Sequence, residues 1–300
     1  NNGHDYNRLD PSWAELFTDC GFDVLSLAAN HAMDMGAEGL LGTLETIRGL
    51  GIRTVGAGEN IAEARKPAIV ERAGVTVAFL AYCSILKEGH AATDASPGVA
   101  PLRVTTYHRP IDDQPGVPAR PVTIADRGDL SRILEDIRAA KQRADVVVVS
   151  MHWGVHFIPR LLADYQIDCA EEMSKAGADL ILGHHAHLPK GVTIHNGMVC
   201  FHSLGNFMIT SPPFTPEQAR RFCRKYEVEL DPDYPQLRYG RNAHRTMIAK
   251  VMINREGVQK VSMLPVLVDK QLRPELIMEG DERFSEAAEF LMDLSRGLGI

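Results

Sequence analysis

Short apolar runs alternate with segments of helical spacing along most of the chain, the rhythm of an α/β fold. Pro11 to Cys20 reads as a helix, and Asp23-Val24-Leu25-Ser26-Leu27-Ala28-Ala29 as a buried strand. Gly36 to Leu50 sets Leu40, Leu41, Leu44, Ile47 and Leu50 at helical spacing, with Gly49 and Gly51 closing it. Ile52 to Val55 is a short strand that runs into a turn-rich segment. A hairpin follows: Ala68 to Arg72, a turn at Ala73-Gly74, then Val75 to Tyr82. From about Leu86 to Ala125 the period disappears and Pro, Gly, Asp and Thr accumulate, as in an insertion or long loop. The rhythm resumes with a helix over Asp129 to Arg143 and a strand over Asp145 to Ser150, whose four valines predict burial on both faces. A helix over Asp164 to Ala176, a strand over Asp179 to Leu182 and a hairpin around Asn196-Gly197 come next. A second irregular, partly basic insertion covers roughly 212–245. Thr246 to Ile253 and Val258 to Val268 form a further hairpin, and Glu282 to Leu298 a C-terminal amphipathic helix. The expectation is one α/β domain over residues 1–300 with two insertions.

Composition narrows the function classes. The chain has 32 basic and 39 acidic residues, a formal charge of -7, and no long basic run, which argues against a sequence-independent grip on nucleic acid. No run approaches the ~18 consecutive apolar residues of a membrane span. Cys20, Cys83, Cys169, Cys200 and Cys223 are odd in number and show no C-x-x-C spacing, so small buried thiols are expected rather than disulfides or a zinc ribbon. Free thiols favour a reducing, cytoplasmic setting. The start at Asn1-Asn2-Gly3-His4 has no initiator Met and no leader pattern. Export or a membrane anchor would require a segment upstream. Twelve histidines are the one compositional oddity.

Their positions carry the chemistry. Asn30-His31 with Asp34 follows the strand ending at Ala29, and His152-Trp153-Gly154 with His156 follows the valine strand. Gly183-His184-His185-Ala186-His187 follows Leu180–Leu182, and Ser203-Leu204-Gly205-Asn206-Phe207 follows the strand ending near His202. Ligands in open α/β sheets bind beyond the carboxyl ends of strands. Imidazole suits borderline divalent ions such as Zn, Mn or Fe. An H-x-H pair in an extended segment turns both rings to one side, so His185 and His187 could reach one metal or two neighbouring ones. A single histidine is more often a hydrogen-bonded structural residue; His-bearing loops at successive strand ends point to a metal site.

The block from Phe22 to His31 with Asp34 and Gly36 resembles a motif of the CapA family, proteins associated with poly-γ-glutamate capsule synthesis within the calcineurin-like metallophosphoesterase superfamily. Gly56-Ala57-Gly58, Ala64-Arg65-Lys66-Pro67, His152-Trp153-Gly154, Gln166, Gly183 to His187 and Ser203 to Phe207 continue the match to about Phe207. The resemblance implies a four-layer αββα sandwich with two divalent metal ions at the strand ends. It implies Asn30, His152 and His185 as ligands of one metal and His187 facing the other. His31 becomes a general acid or electrostatic stabiliser, with Asp34 orienting it. His184 is then a residue behind the ligands or a structural histidine. Trp153 walls the pocket or packs beneath it, and Asn206 lies beside the substrate or behind the ligands.

Departures from the family pattern set further expectations. The family's first strand, with a Gly-Asp motif, and its Asn-Leu-Glu motif do not stand ahead of Asn30, and we expect their carboxylates on an upstream segment. His156 stands where relatives carry Glu, and Lys190 where many carry Gln. Lys190 is either a cation near the mouth that suits an anionic substrate or a solvated surface residue. The resemblance implies a hydrolase in which metal-bound hydroxide attacks a phosphoester, an amide or another carbonyl, on a small molecule or an anionic polymer. Its rivals are a non-catalytic capsule-assembly component that binds an anionic polymer, and a cytoplasmic small-molecule hydrolase unrelated to capsule.

Overall fold

Val146 to Val149 are 0–6% exposed, and burying each contributes roughly 1.5–3 kcal/mol. They centre the first of two compact units in a computed structural model that describes residues 9–114, 116–209 and 214–298. The Asn1-Asn2-Gly3-His4 start and Pro212 lie outside the described residues. The units are Asn1–His152 with Glu171–Ala178, and Trp153–Ala170 with Asp179–Ile300. The mixed α/β class expected from the pattern is what forms.

In the first unit a 3₁₀ turn (Pro11–Ala14) leads into α1 (Glu15–Asp19), and β1 (Val24–Ser26) pairs in parallel with β2 (Arg53–Val55). Between them α2 (Gly36–Gly49) buries Leu40, Leu44 and Ile47. β3 (Ala57–Gly58) follows at once, because Gly56 takes a φ of 85° and leaves no room for a Cβ, which would stand 2.5 Å from that of Ala28. After α3 (Ile61–Ala64), β4 (Ala68–Arg72) and β5 (Val75–Cys83) form the expected hairpin. β5 also runs parallel to the valine strand, later labelled β9, from Val77 opposite Val146 to Cys83 opposite His152.

The stretch expected to be irregular from residue 86 to 125 is more ordered than the pattern suggests. β6 (Gly98–Val99) pairs with β3, and β7 (Val104–Pro110) forms a hairpin with β8 (Ala119–Ala125). Its residues are mostly exposed, so burial leaves no apolar alternation to read. α4 (Arg127–Lys141), capped by Asp126, and β9 (Val146–His152) follow, and the segment Glu171–Ala178 completes the unit. β1 is shorter than expected and only half-buried: Leu27 donates its N–H to Val55, and the chain then turns, Ala29 N–H to Leu27 carbonyl, into Asn30-His31.

The second unit begins on the loop after β9 and takes in the start of α5 (Asp164–Ala176). β10 (Leu180–His184) runs parallel to the second strand of the next hairpin, β11 (Val192–His195) and β12 (Met198–Phe201), turned at Asn196-Gly197 with φ of 51° and 85°. Within the second expected insertion stands α6 (Pro216–Tyr226), started by a capping box between Thr215 and Gln218. β13 (Arg245–Asn254), β14 (Gly257–Val268) and β15 (Pro274–Leu276) form an antiparallel sheet with a bulge at Met252/Ile253. α7 (Phe284–Asp293) is shorter than the expected C-terminal helix. Among the described residues no helix is long and apolar enough to cross a membrane.

Candidate metal-binding histidine clusters

In the first unit the ends of β1 and β9 present the first cluster. Asn30 and His152, 122 positions apart, meet with Asn30 Oδ1 3.0 Å from His152 Nε2. Beside them His31 Nδ1 lies 2.7 Å from Asp34 Oδ2, so the carboxylate accepts from the ring and fixes its plane. The His31 side chain is 50% exposed and that of Asp34 only 6%. Two neighbours escaped the sequence reading. Lys87 Nζ stands 3.8 Å from Asp34, and His90 feels both Asp34 and His31. Burial and Lys87 hold the His90 pKa below its ordinary value, and its buried Nδ1 has no hydrogen-bond partner among the described residues. Both fall in the stretch whose sequence lost its period.

The second unit carries the other cluster. β10 ends at His184, and His185 and His187 sit in left-handed backbone, φ 96° and 59°. The extended segment expected for the H-x-H pair is therefore absent, yet the two rings lie 6.2 Å apart between centroids. His156 stacks on His185 at 5.1 Å and on Phe157 at 3.9 Å. Burial, reinforced by Lys190 and Lys225, lowers the His156 pKa. Tyr239 lies flat on the His187 ring, 3.9 Å away and 5° from parallel, while Phe222 and Tyr226 of α6 pack on Phe157. The aromatic wall beside the histidines thus comes from the stretch expected to be irregular. Part of the basic character of that stretch is engaged: Arg241 pairs with Glu229, Arg245 with Glu286, and Arg238 covers Phe214.

Several expected site residues lie inside the unit. Trp153 is fully buried, stacked on His202 and donating Nε1–H to the His202 carbonyl at 3.1 Å, so it packs rather than walls a pocket. Lys190 is 2% exposed, and its ammonium donates to the carbonyls of Leu161, at 2.9 Å, and Ile158. It is neither at a mouth nor solvated, and burial pushes its pKa down to about 8. Burial pushes His184 down to about 4, which makes it a neutral ring. Asn206 is buried and bonded to His187.

The donor set suits borderline divalent ions in kind: imidazole nitrogen and amide oxygen. Asn30 Oδ1 and His152 Nε2 stand 3.0 Å apart, the length of an ordinary hydrogen bond in which the ring N–H donates to the amide oxygen, so a metal at this place would take over the contact that the two side chains now make with each other. All four expected ligands are neutral, and among the described residues no three His, Cys, Asp or Glu side chains cluster as a metal site. A separate cavity of about 330 Å³ in the first unit is lined by Arg65, Arg103, Arg132, Tyr82 and Asp129 and holds none of the expected site residues. Its arginines pair with Asp129 and Asp136.

Comparison with known proteins places the chain in a family. The chain is 35% identical over 195 residues to the PGA biosynthesis protein CapA of Bacillus subtilis (strain 168), covering 65% of this chain and 44% of that protein. It is 32% identical over 190 residues to the capsule biosynthesis protein CapA of Bacillus anthracis, covering 63% and 41%. The chain therefore spans less than half the length of these curated relatives. Among solved structures, a hypothetical protein from Thermus thermophilus aligns with a TM-score of 0.48 at 17% identity, over 86% of this chain and 81% of that one. The model of the family described as "Bacterial capsule synthesis protein PGA_cap" matches residues 3–211, and the chain belongs to that family.

Proposed function

We propose that this chain contributes the histidine-rich part of a metal-dependent hydrolase acting in capsule polymer synthesis. The observation that carries the reading is the convergence of Asn30 and His152, 122 positions apart, at the ends of β1 and β9, with the His31–Asp34 pair beside them. Bound divalent cations supply Lewis acidity to a phosphoryl or carbonyl oxygen and acidify water. Asn30 and His152 are the ligands assigned in the first cluster, and His185 and His187 those in the second. His31 donates Nδ1–H to Asp34, which leaves Nε2 to carry the proton for a leaving group, its side chain being half-exposed. The relatives' names support an anionic polymer of the polyglutamate kind as the substrate, with an amide as the bond cleaved; a phosphoester is the alternative that the same metal chemistry would serve.

The test is hydrolysis of a phosphomonoester, a phosphodiester and poly-γ-glutamate by the full-length protein. The reading expects turnover of at least one, with kcat down about 10²-fold or more in His31→Ala and KM little changed. Turnover by His31→Ala and His152→Ala equal to that of the unaltered protein overturns it. A second reading, a non-catalytic component that binds the polymer, draws support from the neutral donor set and from Asp34, whose carboxylate is engaged by His31 and Lys87. That reading expects polymer binding without turnover.

A further inference from the structure

We infer that Asn206 is a positioning residue that locks His187 in its Nδ1–H tautomer, making Nε2 the basic nitrogen of that ring. Asn206 is 7% exposed, and its side-chain amide makes three contacts. One amide end lies 2.8 Å from the His187 carbonyl and 3.1 Å from the Ala243 carbonyl. Two carbonyl oxygens accept only, so this end must be Nδ2, with both of its hydrogens committed. The other end is then Oδ1, which can only accept. It stands 2.9 Å from His187 Nδ1, so the shared hydrogen belongs to the ring. Turning the amide over would set Oδ1 against two carbonyl oxygens in a buried site, which the local chemistry forbids.

The same amide holds the backbone that aims the ring. His187 occupies a left-handed conformation, φ 59°, unfavourable for most side chains, and its carbonyl is tied by Asn206 Nδ2. Tyr239 lies flat on the ring and limits its rotation. Asn206 thus sets the tautomer while the stack sets the plane. A histidine that binds metal through one ring nitrogen donates its other N–H to such a partner. That part of the inference rests on the metal reading above; the tautomer itself does not.

Long-range proton–nitrogen correlation on protein labelled with ¹⁵N-histidine, at a pH where the ring is neutral, reads the tautomer directly. His187 is assigned by its loss in His187→Gln. The expected result is the Nδ1–H, bare-Nε2 pattern for His187 in the unaltered protein, and a shift toward the Nε2–H form or a mixture in Asn206→Ala. An Nε2–H pattern for His187 in the unaltered protein overturns the inference, whether or not Asn206→Ala folds. So does an unchanged pattern in a folded Asn206→Ala. A Co²⁺ titration separates the two layers. With metal bound, Asn206→Ala is expected to weaken affinity about 10–100-fold. An Nδ1–H tautomer with no cobalt uptake leaves the inference standing and removes the metal reading.

Discussion

Lys190 shows how far a residue's neighbours in sequence differ from its neighbours in space. Next to Pro189 it read as a cation on a rim or in solvent, whereas its ammonium is sealed against the carbonyls of Ile158 and Leu161. Nothing in the local sequence encodes those partners, which lie about thirty positions away. Lys190→Met should lower stability by about 1–3 kcal/mol in urea unfolding, because two carbonyls lose their buried donor. Loss of polymer affinity with stability unchanged would contradict this. His202 makes a pH prediction. Burial, with His195 and Lys190 adding, pushes its pKa from 6.5 down to about 3. Above about pH 6.5 the ring is neutral folded or unfolded and stability is at its full value. As pH falls from there toward 3, only the unfolded chain takes up the proton, so stability declines across that window. Urea midpoints at about pH 7.5 and pH 5 should differ, and differ less in His202→Gln. By contrast, the His31–Asp34 and Asn30–His152 pairings involve residues legible as candidates from the motifs alone, since each closes a loop directly after a strand.

Among the elements, those that bury an unbroken apolar run were legible: β5, β9, β10 and the hairpin turned at Asn196-Gly197. The β7–β8 hairpin was not, because nearly all its side chains face outward and alternate nothing. α6 was missed for a related reason. It buries no residue completely and is rich in Arg, so its only clear mark was Thr215-Pro216-Glu217-Gln218, a capping box with Pro at the first position. Thr215→Ala should cost about 1 kcal/mol, seen as faster amide exchange in the first turn of α6. Unchanged exchange there would contradict the role of the box. The fit of β10 against β12 gives a sharper prediction. A Cβ on Gly183 would meet the His202 carbonyl oxygen at 2.3 Å and that of Phe201 at 2.5 Å. Both are backbone atoms that cannot swing aside, so Gly183→Ala should cost about 1–3 kcal/mol or more. A variant as stable as the unaltered protein in thermal unfolding would show that the strands separate freely.

At the scale of the whole chain, the family resemblance visible in the motifs from Phe22 to Phe207 lies within the family match over residues 3–211 and ends close to where that match ends. The chain folds as two compact units, and each carries part of the expected residue set: Asn30, His31, Asp34 and His152 in the first, His156, His185, His187 and Asn206 in the second. Periodicity made most of the core helices and strands of both units legible. It said little about the stretches between them, where Lys87, His90 and Tyr239 stand, because their placement depends on contacts distant in sequence. The ligand types fit divalent ions, and the charge that would balance two such ions is not among the four expected ligands. Metal content is therefore the quantity that decides the account. Plasma mass spectrometry on the full-length protein, purified and then supplied with Mn, Fe and Zn in turn, should find close to two equivalents of one of them, with clear loss in His185→Ala and in Asn30→Ala. Metal near zero in the unaltered protein after all three additions would contradict the account and leave a polymer-binding component of capsule synthesis.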